Sequence, residues 1–135
     1  MSKSIETIEG IGPKTGASLR KAGIRTVEKL LETGATKAGR KALAADTGID
    51  EKQLLVFVNM ADLFRVTGVA SQYAELLKAA GVDTVKELRN RNAENLAAKM
   101  SEVNASRKLV RSTPSANSVG AWVAQAQALQ PKVSH

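Results

Sequence analysis

The sequence contains no cysteine, one histidine and few aromatic residues, which make up 3% of its 135 residues. Without cysteine, the chain has no disulfide, no thiolate zinc site and no thiol nucleophile. It also has no run of about 18 apolar residues, so no transmembrane helix is expected, and its first residues lack the apolar core of a secretory signal. These absences predict a cytoplasmic protein that associates with no membrane.

The residues that most enzymes use are too few or too scattered to predict an active site. The only histidine, His135, has no base or nucleophile beside it in the sequence. Metal-dependent nucleases need several carboxylates that converge on divalent ions, whereas the acidic residues here are spread along the chain. A lysine-based lyase would need a lysine with a depressed pKa in a pocket, and no lysine stands out. We therefore predict no enzyme: no catalytic residue, no metal site and no small-molecule substrate.

Basic residues exceed acidic ones and give the chain a net charge of +7. The excess lies in residues 1–48 and 105–135, each with a net charge of +4, whereas residues 49–104 carry −1. Such an excess either keeps a protein soluble or marks a surface that binds nucleic acid. The second interpretation gains weight where the charge coincides with a site for phosphate.

Residues 8–16, with the sequence IEGIGPKTG, have the pattern of a tight turn that opens a helix. Gly10 and Gly12 allow the turn and a close approach of a ligand to the backbone, and Pro13 suits the first helical position. The free amides and the positive dipole end of the following helix attract anions such as phosphate. Lys14 adds a full positive charge, so the segment is a candidate phosphate clamp.

The chain aligns with itself without gaps at an offset of 58 residues. The two copies share glycines, leucines and a threonine–valine pair: Gly10 and Gly68, Leu19 and Leu77, Gly23 and Gly81, Thr26-Val27 and Thr84-Val85, Leu30 and Leu88. Such matches predict two copies of one supersecondary unit. The second copy has lost the residues of the clamp, because Ala70-Ser71-Gln72 stand where the first has Gly12-Pro13-Lys14. The first copy is therefore the better candidate for binding phosphate.

Nearly every segment has a helical pattern of apolar residues and no strand pattern is present, so the predicted fold class is all-α. We expect one domain over residues 1–135, with a first unit at 5–48, a connecting helix at 49–65 buried between the units, a second unit at 66–104, and a crossover with a C-terminal helix at 105–130. Gly34 and Gly39 are expected to bracket a loop, and Ser71 to cap a helix. Trp122 has apolar neighbours and is expected to anchor packing, while residues 130–135 are expected to fray.

The short helix, the Gly-Ile-Gly turn at residues 10–12 and the helix that opens with lysine together resemble the helix-hairpin-helix motif. Longer stretches are similar to a bacterial family described as a domain of unknown function (DUF4332-like): residues 23–27, 39–43, 58–63, 74–85, 109–111 and 114–122. The resemblance spans residues 5–130. The family is grouped with helix-hairpin-helix proteins, some of them labelled flap-endonuclease-like. It implies two tandem helix-hairpin-helix units packed into one compact helical domain, and a DNA-binding element without a nuclease active site.

Carried over to this sequence, the motif implies phosphate contacts at the first hairpin and the helix start: Gly10, Ile11, Gly12, Lys14 and Thr15. Supporting charge is expected from basic residues of the first unit and the tail: Arg20, Lys21, Arg40, Lys41, Arg107, Lys108 and Arg111. The second hairpin lacks the second glycine, the proline and the lysine, and is a weaker candidate: Gly68, Val69, Ala70 and Gln72. Such hairpins can also hold a monovalent cation, sodium or potassium, on their carbonyls, and no other cofactor is implied.

Two functions are open at this point. In the first, which we favour, the protein binds the backbone of DNA without reading sequence. Duplex or junction DNA is the expected target, because few aromatic residues are available to stack on the bases of single strands. In the second, both hairpins are architecture, and the chain is a protein-interaction or scaffold domain with an acidic partner. A contiguous basic face with exposed hairpin amides favours DNA, whereas scattered charge with internally bonded amides favours the scaffold.

Overall fold

The structure, a computed structural model, describes residues 3–135. A 3₁₀ helix at Ile5–Thr7 precedes eight α-helices: α1 (Pro13–Lys21), α2 (Val27–Gly34), α3 (Lys37–Thr47), α4 (Glu51–Leu63), α5 (Ser71–Ala79), α6 (Val85–Leu88), α7 (Ala93–Arg107) and α8 (Ala116–Ala128). The only extended pairing in this part of the chain is one isolated antiparallel bridge between Ser4 and Thr26. The all-α prediction is confirmed. None of the described helices has both the length and the apolar character that crossing a bilayer requires.

Contacts between residues divide the chain into two units. The first comprises the described residues up to Asp62 together with Lys132–His135, and the second comprises Leu63–Pro131. The predicted connecting helix is α4, and all but its last residue belongs to the first unit. The predicted second unit and the predicted C-terminal part fall into one unit of the structure, where α7 packs against α8. That the whole chain forms one domain stays a prediction.

The core of the first unit is built from the apolar faces of its helices. The face of α2 is the one that its 3.6-residue pattern predicts: Val27, Leu30 and Leu31 are buried. Helix α4 buries one broad face in this core: Leu54, Phe57, Val58, Met60 and Ala61. Full burial of one large apolar side chain contributes about 1.5–3 kcal/mol, so these faces hold the helices that carry the first hairpin.

The core of the second unit centres on α8. Its buried face consists of Val119, Trp122, Val123 and Ala126, residues that a 3.6-residue period places on one side of a helix. The indole of Trp122 lies 5.4 Å from the ring of Tyr73, centroid to centroid, with the two planes tilted by 53°. Because Trp122 is only 5% exposed, it packs within the unit, as predicted, and presents no ring for stacking on a base.

The two copies related by the 58-residue offset have the same backbone hydrogen bonds. In the first copy the bonds run from Ile8 to Ile5, from Ile11 to Ile8 and from Gly16 to Gly12. In the second they run from Val66 to Leu63, from Val69 to Val66 and from Ala74 to Ala70. Gly10 and Gly68 have nearly equal φ values of +96° and +97°, a conformation that glycine adopts most readily. The predicted repeat is therefore present in the backbone geometry.

The helices that follow the two hairpins also end alike. After α1, the N–H of Gly23 donates to the carbonyl of Arg20 and that of Ile24 donates to Leu19. The bonds after α5 are equivalent, from Gly81 to Lys78 and from Val82 to Leu77. Both ends are the glycine-centred cap in which the last carbonyls of a helix are satisfied. Each copy thus has a defined start, a hairpin turn and a defined end.

The connection between α2 and α3 is shorter than predicted. Gly34 is the last residue of α2 and Gly39 lies in the first turn of α3, so only residues 35 and 36 form the loop. Thr36 begins α3, because its Oγ1 accepts a bond from the N–H of Gly39 at 3.0 Å. A Cβ on Gly39 would overlap the carbonyl oxygen of Thr33. This glycine therefore permits close packing of two helix ends, and the prediction that it marks a loop is wrong.

Two other predictions are wrong in detail. Ser71 does not cap α5, because Ala70 occupies the N-cap position and the Oγ of Ser71 is buried without a partner among residues 3–135. The last residues do not fray entirely, because the N–H of Ser134 donates to the carbonyl of Ala35 at 2.9 Å.

Candidate functional site

The first hairpin, residues 8–12, is a turn whose shape depends on one glycine and one buried isoleucine. A Cβ on Gly10 would lie 3.3 Å from Cε1 of Phe57, so glycine is needed here for space as well as for its positive φ. Ile11 is 4% exposed, and its N–H donates to the carbonyl of Ile8 at 3.1 Å. The prediction that the Ile11 amide faces a phosphate is therefore wrong, because this amide is bonded within the turn.

The helix that follows the hairpin, α1, begins without a side-chain cap. Gly12 occupies the N-cap position in extended backbone and offers no side chain to the first turn. The first helical bond runs from the N–H of Gly16 to the carbonyl of Gly12 at 2.8 Å, and Pro13 has no N–H. The amides of Lys14 and Thr15 are consequently left without an intrahelical acceptor. Gly12 and Lys14 are exposed and Thr15 is half-buried.

This open start is uncommon among the described helix caps. In five of the described α-helices a side-chain oxygen of the N-cap residue accepts a bond from the first turn: Thr26, Thr36, Thr84, Asn92 and Ser115. Only α1 and α5, among the helices with a described cap, lack such a bond, and their N-cap residues are Gly12 and Ala70. Both follow a hairpin of the repeat. The repeat therefore leaves backbone donors open at the place where an anion can accept from them.

Exposed lysines accompany the open start of α1. Lys14 and Lys21 are seven residues apart, which places them on one side of the helix about 10 Å apart along its axis. Ser18 lies between them, and its Oγ donates to the carbonyl of Lys14 at 3.3 Å. Lys21 borders a cleft of about 510 Å³ that Asp46 also lines. Lys41 is exposed on α3, and none of the three lysines forms an ion pair within residues 3–135.

Arg20, a predicted source of positive charge, is paired within the protein. Its guanidinium lies 2.7 Å from Oε1 of Glu6. A Cβ on Gly16 would lie 2.8 Å from the same oxygen, so glycine makes room for the pair. Glu6 was not among the predicted site residues. The comparison of the two copies does indicate the pair, because the second copy has neither the carboxylate nor the glycine: Phe64 and Ala74 stand where the first has Glu6 and Gly16. The carboxylate reduces what Arg20 can contribute to binding an anion.

Arg40 is the clearest correction among the predicted binding residues. The residue is 3% exposed, and its guanidinium donates to three carbonyls: Gly34 at 2.9 Å, Ala35 at 3.1 Å and Ser134 at 2.6 Å. Burial lowers the pKa of Arg40, and the negative charge of Glu51 acts in the opposite direction. Because its donors are used inside the unit, Arg40 is not available to a phosphate, and the prediction that it supports binding is wrong.

The second hairpin is held in place by α8. A Cβ on Gly68 would lie 3.0 Å from Nε1 of Trp122, and the side-chain amide of Gln125 bonds to both the N–H and the carbonyl of Thr67, at 2.9 and 3.1 Å. Val69 is buried and its N–H donates to Val66. Two of the four predicted residues in this hairpin therefore have structural roles, and the exposed pair that remains is Ala70 and Gln72.

Comparisons with known proteins identify a family for this chain. A family model described as a domain of unknown function (DUF4332) matches residues 9–129. No curated protein and no solved structure matches the chain. The matched range contains the first hairpin from Glu9 onward, the second hairpin and α8. The resemblance to this family is therefore confirmed, while the helix-hairpin-helix interpretation stays a prediction. The chain belongs to the DUF4332 family.

Proposed function

We propose that the protein is a DNA-binding module of the helix-hairpin-helix type, whose first hairpin binds a backbone phosphate of duplex or junction DNA without reading sequence. One observation carries the proposal: α1 begins at an uncapped glycine, directly after a turn, with the exposed Lys14 beside its open amides. Backbone donors, the positive end of the helix dipole and a full charge all favour an anion at this point.

The size of the site limits the number of phosphates that it can neutralise. Lys14 and Lys21 follow one side of α1 and Lys41 is exposed on α3, whereas Arg40 is buried and Arg20 is paired. We expect contact with one or two phosphates, modest affinity, and a slope of log K against log salt of about −0.9 for each phosphate neutralised. A monovalent cation on the hairpin carbonyls stays a prediction.

The proposed target is the backbone of a duplex or a junction rather than an unpaired strand. Proteins that hold single strands combine a basic groove with aromatic side chains on which bases stack. Here Trp122 is buried and Tyr73 is half-buried against it. Recognition through backbone phosphates fits a site that offers amides and lysines but no exposed aromatic ring within the described residues near the hairpin.

One observation favours the alternative, a protein-interaction or scaffold domain. The second hairpin is occupied by α8 through Gly68, Thr67 and Gln125, which is how a purely architectural hairpin would be used. If the first hairpin had the same role, the lysines of α1 would serve an acidic protein partner. The two functions differ in whether a duplex of arbitrary sequence binds at the N-terminus of α1.

Reversing the charge of Lys14 tests the proposal. We expect Lys14→Glu to weaken binding of a labelled, arbitrary-sequence duplex about tenfold, which corresponds to about 1.4 kcal/mol, and to make the salt slope shallower by about 1. The measurement is a fluorescence-anisotropy titration at about 50 and about 200 mM salt, a range over which phosphate contacts weaken steeply.

The matched control is Lys86→Glu, which makes the same change in net charge at an exposed position of α6, in the second unit. It should change the affinity by less than about twofold, because Lys86 belongs to neither hairpin and salt screens exposed charges that make no direct contact. Equal losses in the two variants would mean that only net charge matters. Failure of the wild-type protein to bind duplex or junction DNA would leave the scaffold function.

A further inference from the structure

A second open cleft lies in the second unit, bordered by the first turn of α5, the end of α7 and the crossover to α8. Its volume is about 480 Å³, and its lining consists of Gln72, Asn104, Lys108, Leu109, Val110 and Arg111. The lining contains two cations and no carboxylate. None of these residues belongs to the first hairpin, so this cleft is distinct from the site of the proposed function.

The crossover that carries the two cations is held in a defined shape. Lys108 ends α7 in the left-handed conformation with a φ of +51°, and its N–H donates to the carbonyl of Asn104. The side chain of Asn104 bonds to both the carbonyl and the N–H of Val110, each at 3.0 Å. These reciprocal bonds position Lys108 and Arg111 on either side of a fixed turn.

The charge of the cleft is not neutralised by the protein. Lys108 and Arg111 are exposed, and neither forms an ion pair within the described part of the chain. A third polar side chain in the cleft, that of Gln72, is exposed in the first turn of α5. The N-cap residue of this helix, Ala70, offers no side-chain acceptor. The cleft thus combines an ammonium, a guanidinium and a neutral amide, and no carboxylate lines it, which favours an anion.

We propose that this cleft is a second phosphate-binding site, in which the crossover supplies the charge that the second hairpin lacks. Gln72 stands where the first copy has Lys14, and Lys108 and Arg111 restore positive charge beside it. The guanidinium of Arg111 can donate to two oxygens of one phosphate, and Lys108 acts as a point charge. The ligand chemistry is a phosphate group, either of a nucleic-acid backbone or of a free phosphate compound.

The test uses a double variant that removes both cations without disturbing the turn. Asparagine tolerates the left-handed conformation better than most residues, so the variant is Lys108→Asn with Arg111→Gln. The matched control is Lys78→Gln with Lys86→Gln, which removes two exposed cations that do not line the cleft. The probes are inorganic phosphate, followed by the amide resonances of Gln72 and Arg111 in NMR spectra, and a labelled duplex, followed by anisotropy.

Inorganic phosphate should shift these resonances saturably in the wild-type protein, and the double variant should bind it about tenfold more weakly because two charged donors are lost. The control should bind it as the wild type does. If duplex affinity also falls in the double variant, the natural phosphate belongs to nucleic acid, and if duplex affinity is unchanged, it belongs to a small phosphate compound. Absence of a saturable shift, or an equal loss in the control, would overturn the proposal.

The same titrations in a Lys14→Glu background separate this site from the first hairpin. The phosphate shifts at Gln72 and Arg111 should persist there, because Lys14 belongs to the other unit. Their persistence together with loss of duplex binding would place the two phosphates at independent sites. Their disappearance in that background would show that the resonances do not report on this cleft and would overturn the proposal.

Discussion

Replacement of Arg40 by alanine should lower the free energy of unfolding by about 3 kcal/mol. The guanidinium is buried and donates to the carbonyls of Gly34, Ala35 and Ser134. Removing it leaves the buried carbonyl of Gly34 without its charged donor and breaks the part-buried bonds to Ala35 and Ser134. An unsatisfied buried group costs about 1–3 kcal/mol. The loss of the aliphatic part of the side chain adds a cavity, which lowers the free energy of unfolding further.

Urea unfolding followed by circular dichroism measures this effect, and Lys41→Ala is the matched control. Lys41 is the next residue and is exposed, so its substitution should change the free energy of unfolding by less than about 0.5 kcal/mol. Arg40→Lys should not restore stability, because an ammonium cannot reproduce the planar set of donors. An Arg40→Ala protein as stable as the wild type would mean that the three bonds contribute no net stability.

Replacement of Gly39 by alanine should destabilise the first unit by at least about 2 kcal/mol, which is within the usual cost of overpacking. The new Cβ would overlap the carbonyl oxygen of Thr33 and lie 3.2 Å from Oγ1 of Thr36. The carbonyl is part of the backbone of α2, so it cannot move without moving the helix end. Alanine gains up to about 1 kcal/mol of helix propensity over glycine, and the overlap outweighs that gain.

The control substitution, Gly120→Ala, should have the opposite sign. Gly120 lies inside α8, and the nearest atom to a Cβ there would be the Cβ of Ala93 at 3.7 Å, an ordinary van der Waals distance. The higher helix propensity of alanine is then the main effect, so the free energy of unfolding of the variant should rise by about 0.5–1 kcal/mol. Thermal unfolding of the two variants distinguishes them by direction. A neutral Gly39→Ala would show that α2 and α3 can separate at this point without cost.

The repeat and its hairpins could be predicted from the sequence because their signals are local. Three such signals depend on neighbours within a few positions. They are a glycine with positive φ, a helix cap three residues from its partner, and an apolar face with a 3.6-residue period. Gly10, Gly23 and their equivalents at the 58-residue offset therefore appear in the structure where the alignment places them. The open start of α1 was also visible, since Gly12-Pro13-Lys14 contains no capping side chain.

The roles of Gly39 and Arg40 could not be predicted because they depend on residues that the fold brings together. The bond from Arg40 to Ser134 joins residues 94 positions apart, and no periodicity in the sequence indicates it. Adjacent basic residues on one short helix look alike in sequence, yet Arg40 points into the unit and Lys41 is exposed. The same holds for Gly39, because a glycine that allows two helix ends to approach cannot be told from a glycine of a loop in the sequence.

The candidate site was predicted in outline and corrected in its contacts. The N-terminus of α1 and Lys14 remain open, whereas the amide of Ile11 and the charge of Arg20 are used within the protein. The amide of Ile11 is bonded to Ile8, three positions away, and Arg20 is paired with Glu6, 14 positions away. A pattern of residue types reveals neither partner. The cations at Lys108 and Arg111, expected only as supporting charge, line a cleft of their own beside the second copy.

A ¹H–¹⁵N NMR titration with an arbitrary-sequence duplex tests the central claim, that the open start of α1 binds a backbone phosphate. The amides of Lys14 and Thr15 should shift most within the first unit. The amides of Lys29 and Gly39 provide an internal control, because each donates at 3.0 Å to a threonine Oγ1 at a capped helix start, and they should shift little. Duplex binding that leaves Lys14 and Thr15 unshifted while other amides move would contradict the claim.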